Sequence, residues 1–405
     1  MNLADAPALG QPSTTALMHV TQRPDAVFTH GRGSWLWDSL GRRWLDLVQG
    51  WAVNTLGHAP RLLADTLAEQ ATRLLQPGPG LYNDRALALA QRLTALSGLE
   101  RAYFTASGAE ANEGAIKLAR KYGQLHRGGA HEIITFEHAF HGRTLAAMSA
   151  SGKPSFAALF EPKVPGFPKA RLNDLASVRA LIGPRTVAVM LEPIQGEAGV
   201  IEAEPGFLQA LRRLCDDEGL LLIYDEVQTG VGRTGTLWGW EHSGARPDIL
   251  TLGKCLGGGV PIGAMVARES VSCFAPGDQG GTYHGNPLAC AAALAVLGTV
   301  AQPGFLAQVR ERSRQLRRGL DDIAAELGSP PAVGRGLLLA LQLPQPAQAE
   351  RAAAALFARA DGVRDGLIVN AARPERLRLV PALTISEEEV ELALAMLRES
   401  LLGRA

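Results

Sequence analysis

Cysteine is scarce in this chain: Cys215, Cys255, Cys273 and Cys290 are the only four in 405 residues. No two form a CxxC pair or a zinc-ligand spacing, and each sits among apolar or small residues. That excludes a disulfide scaffold and reads as small buried hydrophobes in a reducing compartment. Net charge is also missing, since 40 Lys and Arg balance 40 Asp and Glu. No basic field exists to attract nucleic acid or a membrane surface. No apolar run reaches the ~18–20 residues that span a bilayer. The N-terminal segment carries Asp5 and several prolines where a secretory signal would have a basic region and a long apolar one. Low-complexity tracts and internal repeats are lacking too. The expectation is a soluble, cytoplasmic, folded protein, with disorder confined to the first dozen residues.

Two further absences narrow the chemistry. No G-x-S-x-G elbow occurs. His138 and His141 with Glu137 have metal-like spacing, but the full zinc motif is missing. A structural role is expected for them, and no metal.

What is present points to an α/β enzyme. The length exceeds the ~250–300 residues of one core, so at least two domains are expected. Trp35–Asp38 and Arg43–Leu47 flank a turn as an alternating hairpin. Residues 61–75 and 84–97 have helical spacing. From about 100 to 290, short apolar runs alternate with helical stretches, the pattern of a mostly parallel sheet covered by helices. The runs are Ala102–Thr105, Ile133–Phe136, Val187–Leu191, Leu220–Tyr224, Ile249–Leu252 and Gly263–Val266. Pro287 opens an alanine-rich helix. After about 303 come a long helix (305–327), a strand-like run (336–343), a helix (347–360), two short apolar runs and a last helix. Ser386 and Glu389 form a capping box at its start. The reading is an N-terminal segment of a small domain (1–60), a large domain (61–300) and a C-terminal small α+β domain (301–405).

Four local signals carry the chemistry. Phe104–Asn112 runs from strand to turn to helix, and a helix N-terminus with Ser107 beside it suits a phosphate. Phe140-His141-Gly142-Arg143 offers a ring to stack and a guanidinium to hold a carboxylate. Leu220–Gly230 delivers Asp225 and Glu226 at the carboxyl end of an apolar strand, where α/β sheets bind ligands. Lys254 lies between an apolar strand and Gly257-Gly258-Gly259, and a desolvated lysine is suited to imine chemistry. A phosphate cradle, a stacking ring, a strand-end acid and a buried lysine together fit pyridoxal phosphate. Gly230–Gly235 also matches G-x-G-x-x-G, but Asp225–Thr229 separates it from its strand and Trp238-Gly239-Trp240 follows, unlike a dinucleotide helix.

These segments, with Glu192–Glu197, Thr282–Ala289 and Arg378–Leu383, resemble the class III (subgroup II) aminotransferases, most closely the acetylornithine aminotransferases. The resemblance runs across almost the whole chain. It implies a fold-type I pyridoxal-phosphate-dependent homodimer with its active site at the subunit interface. Ser107, Gly108 and Ala109 would hold the phosphate, and Thr282 would touch the phosphate in the neighbouring subunit. Phe140 would stack on the ring, Asp225 would pair with its nitrogen, and Val227 and Gln228 would line it, Gln228 reaching the ring hydroxyl. Lys254 would bind the cofactor's aldehyde. Arg143 would clamp the α-carboxylate of the donor, Arg378 the carboxylate of glutamate or 2-oxoglutarate, and Glu197 would gate Arg378.

The implied reaction moves the δ-amino group of N2-acetyl-L-ornithine to 2-oxoglutarate. Ornithine, succinylornithine, succinyl-diaminopimelate and 4-aminobutyrate are the alternative donors, and a non-catalytic binding protein of the same fold is the alternative class. Three positions depart from the family pattern. Gly281 lacks the hydroxyl that relatives carry there, and His284 replaces a glycine. Ala109 stands where some relatives have Thr. Gly50 stands where ornithine aminotransferases usually carry Tyr, which leans toward an acylated donor.

Overall fold

The computed structural model describes residues 14–373 and 375–403. The first dozen residues, where disorder was expected, lie outside the described residues, as do the last two of the segment read as the small domain.

Seven strands form the central sheet. Their order is Arg101–Thr105, Gly263–Ala267, Ile249–Leu252, Leu221–Asp225, Thr186–Leu191, Glu132–Phe136 and Lys169–Ala170. All adjacent pairs are parallel except those of Gly263–Ala267, which runs antiparallel to both neighbours. Thr186–Leu191 and Leu221–Asp225 are buried at every position. Helices cover both faces of such strands, which explains their unbroken apolar runs. Six of the seven strands were legible as apolar runs; Lys169–Ala170, two residues long, was not.

Gly108–His126 packs across the sheet with a stripe of small and apolar residues facing it. Pro205–Glu218 packs against Leu221–Asp225, with Leu208, Leu211 and Leu214 buried. Pro287–Val300 is apolar nearly all round, because it lies inside the core against Arg61–Arg73 and Asp84–Ser97. Among the described residues no single helix is long and apolar enough to cross a membrane.

The chain ends meet beside this sheet. Phe28–Arg32, Trp35–Asp38 and Arg43–Asp46 form an antiparallel meander, and Gly366–Ile368 adds to it in parallel. A second four-stranded sheet joins Val333–Arg335, Leu338–Gln342, Arg376–Leu379 and Asn370–Arg373. Phe305–Leu327 and Glu387–Leu402 pack on each other beside it. The second of these opens with the capping box, Ser386 and Glu389 each accepting from the other's backbone amide.

Candidate active site

Carboxyl ends of the central strands converge on the amino end of Gly108–His126. Between them lies a cavity of about 210 Å³ lined by Gly108, Ala109, Phe140, Arg143, Asp225, Val227, Gln228 and Lys254, among others.

Asp225 ends its strand and is only 3% exposed. One carboxylate oxygen accepts from Asn112 Nδ2 at 2.7 Å and His141 Nδ1 at 2.8 Å, and the other from the Val227 amide at 3.0 Å. Asn112 is itself fixed: its amide also donates to the His141 carbonyl at 2.7 Å, and its oxygen accepts from Thr251 at 2.6 Å. Three donors stabilise a carboxylate in a buried setting and leave one oxygen with spare accepting capacity.

Lys254 follows Gly253 at the end of Ile249–Leu252 and has φ 39°. That left-handed conformation is costly for a lysine and marks a residue held by its surroundings. Its pKa is lowered, first by burial and also by Arg378, against the opposing pull of Glu197, Glu192 and Asp225. Among the described residues its amine has no hydrogen-bond partner. The amine is therefore a poised base or nucleophile.

The glycines here are demanded by space. A Cβ on Gly108 would come within 2.6 Å of Val227 Cγ1, and one on Gly253 within 3.0 Å of Gly108 Cα. The close approach aims the first amides of Gly108–His126 at the cavity, and those amides have no partner within the helix. Ser107 is the N-cap, accepting from the Glu110 amide at 3.3 Å and donating to Glu110 Oε2 at 3.0 Å.

A second group of residues faces Lys254 from the small-sheet side. Arg378, 1% exposed, donates to Glu197 Oε1 at 2.7 Å and to Gln228 Oε1 at 3.3 Å. Its Nε and Nη2 are buried without partners. Burial opposes the charge on Glu197, but Arg378 and then Lys254 hold its pKa below the usual range. A Cβ on Gly196 would come within 1.6 Å of Gln228 Oε1, so Gly196 leaves the room that Gln228 fills. Arg143 is exposed in the cavity lining, with its guanidinium 4.8 Å from the Phe156 ring and 5.9 Å from Phe140.

One expected residue stands apart. Thr282 is exposed and lies outside this cavity, its carbonyl accepting from Gln76. His141, expected to have a structural role, and several residues not singled out prove central. Asn112 and His141 fix Asp225. Glu192 accepts from the Phe140 amide at 2.9 Å, and burial followed by Asp225 pushes its pKa well up. Trp51 places its ring 5.5 Å from the Arg378 guanidinium. Their signal was present in part: Asn112, His141 and Glu192 stand inside quoted motifs. Trp51 comes from a turn with φ positive throughout Gln49–Ala52, which no propensity announces. His138 and His141 hold no metal arrangement; among the described residues no cluster of three or more ligand side chains exists.

The sheet order and the lysine-centred cavity define an amino-group transferase, and the class-III aminotransferase profile matches residues 17–401. The chain belongs to the class-III aminotransferases and has their fold-type I architecture. It is 54% identical to acetylornithine aminotransferase 2 of Bordetella bronchiseptica, covering 94% of this chain and 95% of that one. It is 46% identical to a succinylornithine transaminase of Salmonella enteritidis, covering 89% and 88%. Among solved structures, N-acetylornithine aminotransferase of Stenotrophomonas maltophilia superposes with a TM-score of 0.81 at 37% identity, covering 94% of this chain and 96% of that one.

Proposed function

We propose that this chain transfers the δ-amino group of N2-acetyl-L-ornithine to 2-oxoglutarate, yielding N-acetylglutamate semialdehyde and glutamate, as in arginine biosynthesis. Pyridoxal phosphate is the cofactor, and the two half-reactions share one site in ping-pong order. The site's chemistry fits that group. Ser107, Gly108 and Ala109 offer a helix N-terminus to its phosphate. Asp225 keeps accepting capacity for a protonated ring nitrogen, and Gln228, Phe140 and Val227, which line the same cavity, would meet the ring hydroxyl and the two faces of the ring. Lys254 has an unpartnered amine for the aldehyde.

When bound, the cofactor supplies the aldehyde that accepts the amino group and a ring that takes up electrons from the reacting carbon. The protein does the rest. Lys254, whose amine is buried at the site, would carry the proton at that carbon. Asp225, fixed by Asn112, His141 and the Val227 amide, would hold the proton on the ring nitrogen. Arg143 orients the donor's α-carboxylate. Arg378 binds a carboxylate of glutamate or 2-oxoglutarate, and Glu197 neutralises it while the donor occupies the site.

The observation that carries the donor reading is the presence of two guanidiniums at the site, exposed Arg143 in the lining of the Lys254 cavity and buried Arg378 paired with Glu197. Identity of 54% to a protein named acetylornithine aminotransferase supports the acyl group. We also read the chain as a cytoplasmic homodimer in which Thr282 reaches the neighbouring subunit's phosphate, and divide it into a small-domain segment (1–60), a large domain (61–300) and a C-terminal small domain (301–405). The pairing of Gly366–Ile368 with Arg43–Asp46 supports grouping the two ends.

The test is the visible spectrum on adding N-acetylornithine without a keto acid. Conversion of the cofactor band, reversed by 2-oxoglutarate, is expected. A band that forms but ignores N-acetylornithine overturns the donor and sends the search to the succinylated and free amines. Lys254→Ala is expected to abolish turnover, and retained transamination in that variant would remove Lys254 from the mechanism.

A further inference from the structure

Glu197 borders a second cavity, of about 270 Å³, on the outward side of its pair with Arg378. Its walls include His138, Lys153, Ser155, Arg373 and Glu375. The Glu197 side chain is 23% exposed, and only its Oε1 is engaged by Arg378. The carboxylate thus stands between Arg378 and the outer cavity.

When a dicarboxylate takes Arg378, two carboxylates compete for one guanidinium and Glu197 must move. Moving inward brings Glu197 against the buried Glu192 and Asp225, and the cation there, Lys254, is the residue that the cofactor and the reaction engage. Outward lie room and a cation. Lys153 makes no ion pair among the described residues; its amine sits 5.7 Å from the Phe156 ring and its charge already acts on Glu197. Arg373 shares the cavity, but its Nε is committed to the Ala198 carbonyl and Glu375 stands beside it.

We propose that Lys153 is the positioning residue that receives the Glu197 carboxylate in the outer cavity when a dicarboxylate occupies Arg378. The pair forms only in the dicarboxylate-bound state, so it lowers the cost of opening the gate for 2-oxoglutarate and leaves the donor step alone. This deepens the gate role given above to Glu197 and rests on it.

The experiment is a double-mutant cycle on the holoenzyme, with glutarate binding measured by calorimetry in wild type, K153M, E197Q and the double variant. K153M is expected to weaken glutarate about three- to fivefold, the size of a partly exposed ion pair. In the E197Q background the same change should have no effect, and K153R should restore the wild-type value. Stopped-flow half-reactions should show the loss in the 2-oxoglutarate step only. Equal weakening by K153M with and without Glu197, or no weakening at all, overturns the proposal. The cycle does not use N-acetylornithine. If the wild type ignores that donor while the cycle shows coupling, the donor assignment fails and the Lys153 role stands.

Discussion

At the residue scale, the reactivity of Lys254 comes from its burial. Burial disfavours the ammonium form, so the neutral amine exists at lower pH than on a free lysine. The cofactor-free protein should therefore take up pyridoxal phosphate with a rate that rises with pH and levels off below the ordinary lysine value of 10.5. A rate still climbing through that value would mean Lys254 is not desolvated. The departures at 281 and 284 also resolve at this scale, because they are one change. The His284 ring occupies the space a side chain at 281 would need: a Cβ there would come within 2.2 Å of His284 Cε1. The ring is held by Tyr103, whose hydroxyl lies 2.6 Å from His284 Nδ1. Gly281→Ser alone should force the imidazole off Tyr103 and lower the melting temperature. Adding His284→Gly should recover most of the loss, and purely additive effects in the melting curves would contradict this coupling.

At the element scale, the last helix is tied to the first hairpin by its own cap. Glu389 closes the capping box and also accepts from Ser34 Oγ at 2.8 Å and Trp35 Nε1 at 2.9 Å. Ser386→Ala should cost about 1 kcal/mol, the usual value of a cap. Glu389→Ala should cost more, about 1–3 kcal/mol, since it strands two donors besides opening the box. Denaturant titration separates the two, and equal costs would show that the hairpin contacts contribute nothing. The glycine-rich run Gly230–Gly235 has its explanation here as well. It carries Arg233, 0% exposed, which donates to the carbonyls of Leu337 at 3.0 Å and Pro381 at 2.6 Å. The turn is a bolt onto the C-terminal segment, and its likeness to a dinucleotide loop is only a likeness of spacing.

For the whole molecule, a surface with exposed apolar side chains runs beside Thr282. Leu81, Tyr82 and Tyr283 are 65%, 92% and 66% exposed, around a cavity of about 350 Å³ bordered by Gln279–Gly281. Large exposed apolar groups in one region mark an interaction surface, and the proposed homodimer would bury them while bringing Thr282 to the neighbouring site. Tyr82→Asp should shift sedimentation toward the monomer and reduce activity in step. A monomer with full activity would refute the shared site.

Most elements, and the positions of the main candidate site residues, could be read without the fold. Strand–turn–helix junctions are local, so the apolar runs, Ser107, Asp225 and Lys254 were legible from spacing and residue type, as was the capping box at Ser386. The direction of Gly263–Ala267 and the fixing of Asp225 by His141 and Asn112 emerge from the fold alone, and the meeting of Glu197 with Arg378, 181 residues apart in the chain, was expected through the family resemblance and not from local pattern. The physical reason is that these depend on which surfaces meet. A strand's run of apolar residues is the same in either direction, and a histidine's partner is chosen by packing between distant segments that no local periodicity records.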